Sequence, residues 1–180
     1  MFIGEAPGAD EVEQGKPFVG KSGQILRSAI IDAGLDLNDV FITNVLCCRP
    51  LNNKFPDDMN YILSCKSWFF EQILLVKPKI IISIGGKAHK YIRESDIGIT
   101  QACGKWENYT FEFLPFITGE TEKYYHSASY MATLHPSFCM RGPDNRYPNP
   151  VMQLDSKGKI NLFRENIASI VKQLKIIRGE

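Results

Sequence analysis

Strand-like and helix-like segments alternate along this chain of 180 residues, and the alternation predicts an α/β layered fold. Three observations carry that expectation. Lys79-Ile80-Ile81-Ile82-Ser83-Ile84 is a nearly continuous apolar run closed by Gly85-Gly86, the pattern of a parallel strand buried on both faces. Ile25, Leu26, Ala29, Ile30 and Ala33 recur at the spacing of one helix face. Unusual polar groups stand at three strand ends, Gly4–Gly8, Asn44 and His135, where open α/β sheets collect their ligands.

Taken in order, Phe2-Ile3 is a short strand that feeds the loop Gly4-Glu5-Ala6-Pro7-Gly8. A loop rich in glycine and charge follows. Ser22 is the expected cap of the first long helix, and Gly34 ends it. Val40–Val45 reads as a second strand with a proline and asparagine loop behind it. A helix is expected from Pro56-Asp57-Asp58, acidic at its start as the dipole favours, to about Val76. A short helix over about 87–93 follows the Ile80–Ile84 run. The stretch from Thr100 to Tyr130 reads as irregular, with a strand pair around Thr110–Phe113. Ala132-Thr133-Leu134 reads as the last strand, Arg141–Asn149 as a proline-rich loop, and Ile160–Leu174 as the closing helix. With no repeat, linker or low-complexity tract, the expectation is one domain over 1–180.

Composition excludes little but not nothing. Apolar content of 44% and charged content of 23% are ordinary for a globular chain. No apolar run reaches the roughly 18–20 residues of a membrane helix, and Met1-Phe2-Ile3 runs straight into a glycine loop. An intracellular, cytoplasmic monomer with no membrane partner is therefore expected. A net charge of +1 leaves nucleic acid open, because a DNA-binding protein needs only a local basic face. Lys16, Lys21, Arg49, Lys54, Arg141 and Arg146 can build one, or can be ordinary solvated surface. Five cysteines, an odd number, argue against a disulfide framework.

The motifs are more specific together than singly. They run Gly4-Glu5-Ala6-Pro7-Gly8, then Gly15-Lys16-Pro17-Phe18-Val19-Gly20-Lys21-Ser22-Gly23, then Asn44-Val45 and Cys48-Arg49-Pro50. His135-Pro136-Ser137 with Arg141 closes the series. The set resembles the family 4 uracil-DNA glycosylases over nearly the whole chain, including the Gln72-Ile73 helix and the strand from Pro78 to Gly85. The resemblance implies a three-layer α/β/α sandwich around a four-stranded parallel sheet. It also implies base flipping, since a base inside a duplex is out of reach of any pocket.

The same resemblance distributes roles, each with a plainer alternative. Gly4, Ala6 and Gly8 shape a tight turn whose amides face the substrate, or simply join a strand to a helix. Phe18 stacks on the extruded base, or is a core phenylalanine. The Asn44 amide matches uracil O4 and N3–H and opposes cytosine, or caps a turn. Glu11 crowds the C5 carbon to exclude thymine, although Asp10 and Glu13 stand nearby and a solvated acidic loop reads almost as well. A His135 N–H meets the charge gathering on uracil O2 as the bond breaks; His89 and His126 lie outside the motifs and read as structural or exposed. Glu5 is a candidate holder of the attacking water, because Ala6 stands where better-studied relatives carry an aspartate. Ser137, Met140 and Arg141 belong to a loop expected at the DNA minor groove, with Met140 or Phe138 as wedge and Arg141 on a phosphate or merely exposed.

Family members also hold a [4Fe–4S] cluster on four cysteines. Cys48 and Cys65 match two of them; the other two form a Cys-x-x-Cys upstream of the first loop, which this sequence lacks. Two explanations stay open, a shortened cluster-binding protein or a compact cluster-free relative. The expected activity is hydrolysis of the uracil N-glycosidic bond in single- or double-stranded DNA, leaving an abasic site. The alternatives are a weak or inactive DNA-binding module of the same fold tied to replication, and an enzyme directed at hypoxanthine or xanthine.

Overall fold

The computed structural model describes residues 1–55, 59–114, 122–143 and 149–180. Five strands form one sheet in the order β2-β1-β3-β5-β4. They are β1 (Phe2–Gly4), β2 (Ile42–Asn44), β3 (Ile80–Ile84), β4 (Trp106–Phe113) and β5 (Tyr124–Thr133). The first four in spatial order run parallel, so the parallel core has the expected four strands. The fifth, β4, pairs antiparallel to β5 along its whole length.

Side chains alternate across the sheet with the period of two that strands impose. Phe2, Ile80, Ile82, Ile84 and Met131 face one way, into a cluster with Leu26, Ile30, Phe163 and Ile167. Those partners come from α2 (Lys21–Asp32) and α8 (Ser156–Arg178). Ile3, Ile81, Tyr130 and Ala132 face the other way, against Phe69, Ile73, Ala88 and Ile92. These lie on α3 (Met59–Val76) and α4 (Gly86–Arg93). Three layers result, because a sheet with two apolar faces must cover both. Short helices complete the chain: α1 (Ala9–Gln14), α5 (Ile99–Ala102), α6 (Pro136–Cys139) and α7 (Pro150–Gln153).

Several elements differ from the sequence reading. The glycine-rich loop after Gly8 contains α1, ended by Gly15 in the left-handed region at φ 65°. Ser22 does not cap α2; Gly20 does, in extended conformation, which places Ser22 within the first turn. Among the described residues of 100–130, the strand pair expected around Thr110–Phe113 is present and longer than expected, since β4 and most of β5 lie there. The second strand is shorter than Val40–Val45, and α8 extends beyond Ile160–Leu174 at both ends. The expected start of α3 at Pro56-Asp57-Asp58 lies outside the described residues, as do Arg146 and most of the Arg141–Asn149 loop. No described helix is long and apolar enough to cross a membrane.

Candidate active site

Parallel pairing brings the motifs together before any side chain is considered. Gly4 at the end of β1 stands opposite Asn44 at the end of β2, and His135 follows the end of β5. All three therefore emerge at the carboxyl edge of the sheet. Gly4 is required there: a Cβ would come within 2.5 Å of Asn44 Oδ1 and even closer to the tip of the Phe18 ring.

Ala6, Gly8, Glu11, Phe18, Ser22, Asn44 and His135 line one narrow pocket of about 130 Å³. That is well below the volume of a drug-sized cavity and suits a single small ring. Phe18 is buried, with its ring centroid 6.2 Å from that of His135 and the planes 35° apart. It packs into the core beside Leu26 and also forms a pocket wall, so its burial does not remove it from the pocket. Asn44 is 8% exposed, and no other described residue hydrogen-bonds its amide.

Glu11 owes its place to α1, which turns it inward while Glu13 stays exposed. One carboxylate oxygen accepts from the N–H groups of Val19 and Gly20, each at 2.9 Å, and the other from Gly8 at 3.1 Å. Burial raises this carboxyl, but the N–H groups of Gly20, Val19 and Gly8 outweigh it and hold it below the usual carboxylate range. Glu11 thus staples the first loop to the second.

His135 is the N-cap of α6. Its Nδ1 accepts from the Ser137 backbone N–H at 3.2 Å and lies 2.8 Å from Ser137 Oγ. A backbone N–H can only donate, so Nδ1 carries no proton and the neutral ring is protonated at Nε2. Burial first, and the Arg141 guanidinium second, push the imidazole down to about 4, against the pull of Glu11. The ring is therefore a neutral N–H donor at physiological pH.

His135 also borders a second, wider cleft of about 490 Å³ with Glu5, Gly85, Ser137, Phe138 and Arg141. Glu5 lies in this cleft rather than in the narrow pocket. Its carboxylate accepts from the Lys87 N–H at 3.3 Å, at the positive end of the α4 dipole. Burial is the larger influence and raises its pKa; Lys87 opposes it. A Cβ on Gly85, which sits at φ 95°, would come within 2.6 Å of Glu5 Oε1, so that glycine leaves room for the carboxylate.

The loop after His135 divides the residues expected at DNA. Arg141 is exposed, and so is Met140 at 44%. Ser137 turns inward to His135, and Phe138 lies beneath the Lys159 ammonium, 4.5 Å from its ring centre. Lys159 is fully buried and donates to the carbonyls of Gly142 (2.7 Å) and Arg141 (3.3 Å). Lys16, Lys21, Arg49 and Lys54 are exposed. His89 and His126 are occupied elsewhere, with Tyr130 and with the Pro78 carbonyl.

Ser22, Arg27 and Lys159 went unnoticed as site residues in the sequence. Gly23 was the available signal: a glycine inside a helical pattern marks close backbone approach. In the structure it faces the Phe18 carbonyl.

The residues present do not complete a four-cysteine cluster. Cys48 is exposed and Cys65 half-buried; the Cys47 N–H donates to Cys65 Sγ at 3.4 Å. Partial burial first, then the neighbouring thiols of Cys65 and Cys48, push the Cys47 thiol up to about 11. Among the described residues no group of three or more His, Cys, Asp or Glu could hold a metal ion.

A layered α/β sheet carrying an aromatic wall, an amide and a neutral imidazole around one pocket defines a class. The chain belongs to the uracil DNA glycosylase superfamily, whose sequence model matches residues 1–159. A type-4 uracil-DNA glycosylase of Sulfurisphaera tokodaii is 39% identical over 137 residues, covering 72% of this chain and 59% of that protein. One from Pyrobaculum aerophilum is 45% identical over 94 residues, 52% of this chain and 47% of the relative. One from Thermotoga maritima is 27% identical over 166 residues, 92% of this chain and 78% of the relative. The match to the Sulfurisphaera protein thus spans under two thirds of its length.

Proposed function

We propose that the chain is a monofunctional glycosylase that takes uracil flipped out of single- or double-stranded DNA and hydrolyses its N-glycosidic bond, leaving an abasic site. One observation carries this reading: Phe18, Asn44 and His135 wall the same small pocket. In that pocket the Phe18 ring stacks on the base, a contact worth about 1–3 kcal/mol. The Asn44 amide reads O4 and N3–H, and Glu11 closes the space a C5 methyl would need. The Nε2–H of His135 meets uracil O2 as negative charge gathers there, and one such donor is worth about 2.7–4 kcal/mol.

Water reaches the sugar from the wider cleft. Glu5 holds the water there; the water oxygen bonds to C1′ as the C1′–N1 bond breaks and uracil leaves with the electron pair, and a proton of the water passes to the Glu5 carboxylate. Exposed Arg141 and Met140 meet a backbone phosphate and the gap left by the base, and the flanking lysines add affinity that salt weakens.

Uracil release from labelled oligonucleotides under single-turnover conditions tests this. His135→Ala and Asn44→Ala are expected to melt as the unchanged protein does and to lose about 100-fold or more in rate. Full rates in both variants would end the reading. Tight binding of uracil-containing DNA by the unchanged protein without any release would select the non-enzymatic module instead.

A further inference from the structure

Phe18 is held in a conformation that its own side chain disfavours. Its φ is 54°, in the left-handed region where bulky residues are rare. A residue there persists only when its surroundings over-determine it; beside the Glu11 carboxylate on the Val19 and Gly20 N–H groups, one face of α2 supplies that constraint. Gly23 and Arg27 are four apart on α2 and so lie one above the other. Gly23 supplies the vacancy: any Cβ would overlap the Phe18 carbonyl group. Arg27 supplies the grip. Its Nε donates to the Phe18 carbonyl at 2.9 Å and its Nη2 to the Pro17 carbonyl at 3.0 Å. Two parallel donors from one rigid guanidinium fix two successive peptide planes, which an ammonium cannot do. At its other end the Phe18 ring lies over Gly4, beside the Asn44 amide.

We infer that Arg27 is a positioning residue for the aromatic wall of the pocket: its fork across the Pro17 and Phe18 carbonyls presets the Phe18 ring at the place where a flipped base stacks. The role in substrate handling rests on the proposed function; the preset geometry does not. Arg27 does not line the pocket itself, so it bears on the reaction through the Pro17-Phe18 segment that it grips.

Two measurements test this, and they fail separately. The first needs no substrate. The Phe18 ring stands 6.2 Å from that of His135, so its ring current contributes to the His135 proton shifts. The chain has three histidines, and His135→Ala assigns the resonance. Arg27→Met is expected to move the His135 signal in the same direction as Phe18→Ala and to leave those of His89 and His126 in place. An unmoved His135 signal overturns the inference.

The second is a double-mutant cycle on uracil release. Arg27→Met alone is expected to lower kcat/KM about tenfold, and Arg27→Lys to recover part of that loss. The double variant with Phe18→Ala is expected to match Phe18→Ala alone within about twofold. Losses that multiply overturn it. Should Arg27→Met fail to fold, the same cycle is run with Arg27→Lys. An unchanged protein with no uracil release sinks the glycosylase reading and leaves the resonance test to decide the clamp.

Discussion

Gly4→Ala is the smallest change that should dismantle the pocket while sparing the sheet. The added methyl points away from the strand ladder, so the parallel pairing of β1 with β2 and β3 has no reason to change. It would stand 2.5 Å from Asn44 Oδ1 and closer to the Phe18 ring, where ordinary contacts need about 3.5–4 Å. One or both groups must retreat by about 1 Å. Phe18 has little room to do so, because its backbone already rests on Gly23 and is gripped by Arg27. A misplacement of about 1 Å near reacting atoms costs on the order of 100-fold, or about 2.7 kcal/mol of transition-state stabilisation. Overpacking of this size destabilises by roughly 1–3 kcal/mol, a fall in Tm of about 3–10 °C for a chain of this length. Ile167→Val, buried on the α8 side of the sheet and costing about 0.5–1.5 kcal/mol, is the stability control and should keep full activity. Uracil release is measured at a temperature where both variants are folded by circular dichroism. A Gly4→Ala protein within threefold of the unchanged rate would refute the arrangement of Phe18 and Asn44 around Gly4.

The remaining predictions concern the imidazole, the buried tyrosine and the buried lysine. An unfolded histidine takes up a proton near pH 6.5, whereas His135 resists until about 4, so stability should be steady above 6.5 and fall between those values as pH drops. That gap is worth roughly 3 kcal/mol, and a His135 proton-resonance titration with its midpoint near 6.5 would contradict it. Tyr130→Phe strips the partner from both Ser83 Oγ (2.6 Å) and His89 Nδ1 (2.8 Å), so a loss of about 1–3 kcal/mol is expected in urea unfolding with uracil release unchanged. A neutral melt would show that those groups find other partners. Lys159→Met keeps the stem and removes the ammonium that binds the Arg141 and Gly142 carbonyls. Affinity for duplex DNA should fall severalfold while free-uracil binding holds, and an unchanged duplex titration would remove Lys159 from that role.

The parallel core was legible because its signals are local. The Ile80–Ile84 run, the Leu26/Ile30 spacing and the glycine-rich first loop each announce their element without help from distant residues. The pair of β4 and β5 was legible only around Thr110–Phe113. Trp106-Glu107-Asn108-Tyr109-Thr110 interleaves charge and amide with aromatics, and its partner carries Ser127 and Ser129, so neither strand reads as apolar. Those polar groups find partners across the pair, with Thr110 Oγ1 and Ser127 Oγ 2.8 Å apart, and on the covering helices, with Glu107 on Arg93 and Ser129 Oγ accepting from Gln173. In the pocket, the chemistry-bearing residues were named by motif, but the groups that orient them were not. Ser137 was named only for the DNA-facing loop and not for its contact with His135, while Arg27 behind Phe18 and the backbone N–H groups on Glu11 act through contacts that spacing along the chain does not encode. Ser22 was misplaced for a related reason: a serine before an amphipathic run signals a cap, and the glycine two residues earlier took that position.

The pairing of Gly4 with Asn44 has a consequence for how the protein should fail. Asn44 lies on β2, the strand at one edge of the sheet, with Gly4 beside it on β1, and the amides of an edge strand can exchange by local opening short of unfolding the whole domain. Recognition of the base is therefore tied to a part of the molecule that can come apart before the central strand β3 does. On heating, catalytic competence should vanish with the hydrogen-exchange protection of β2 and ahead of that of β3.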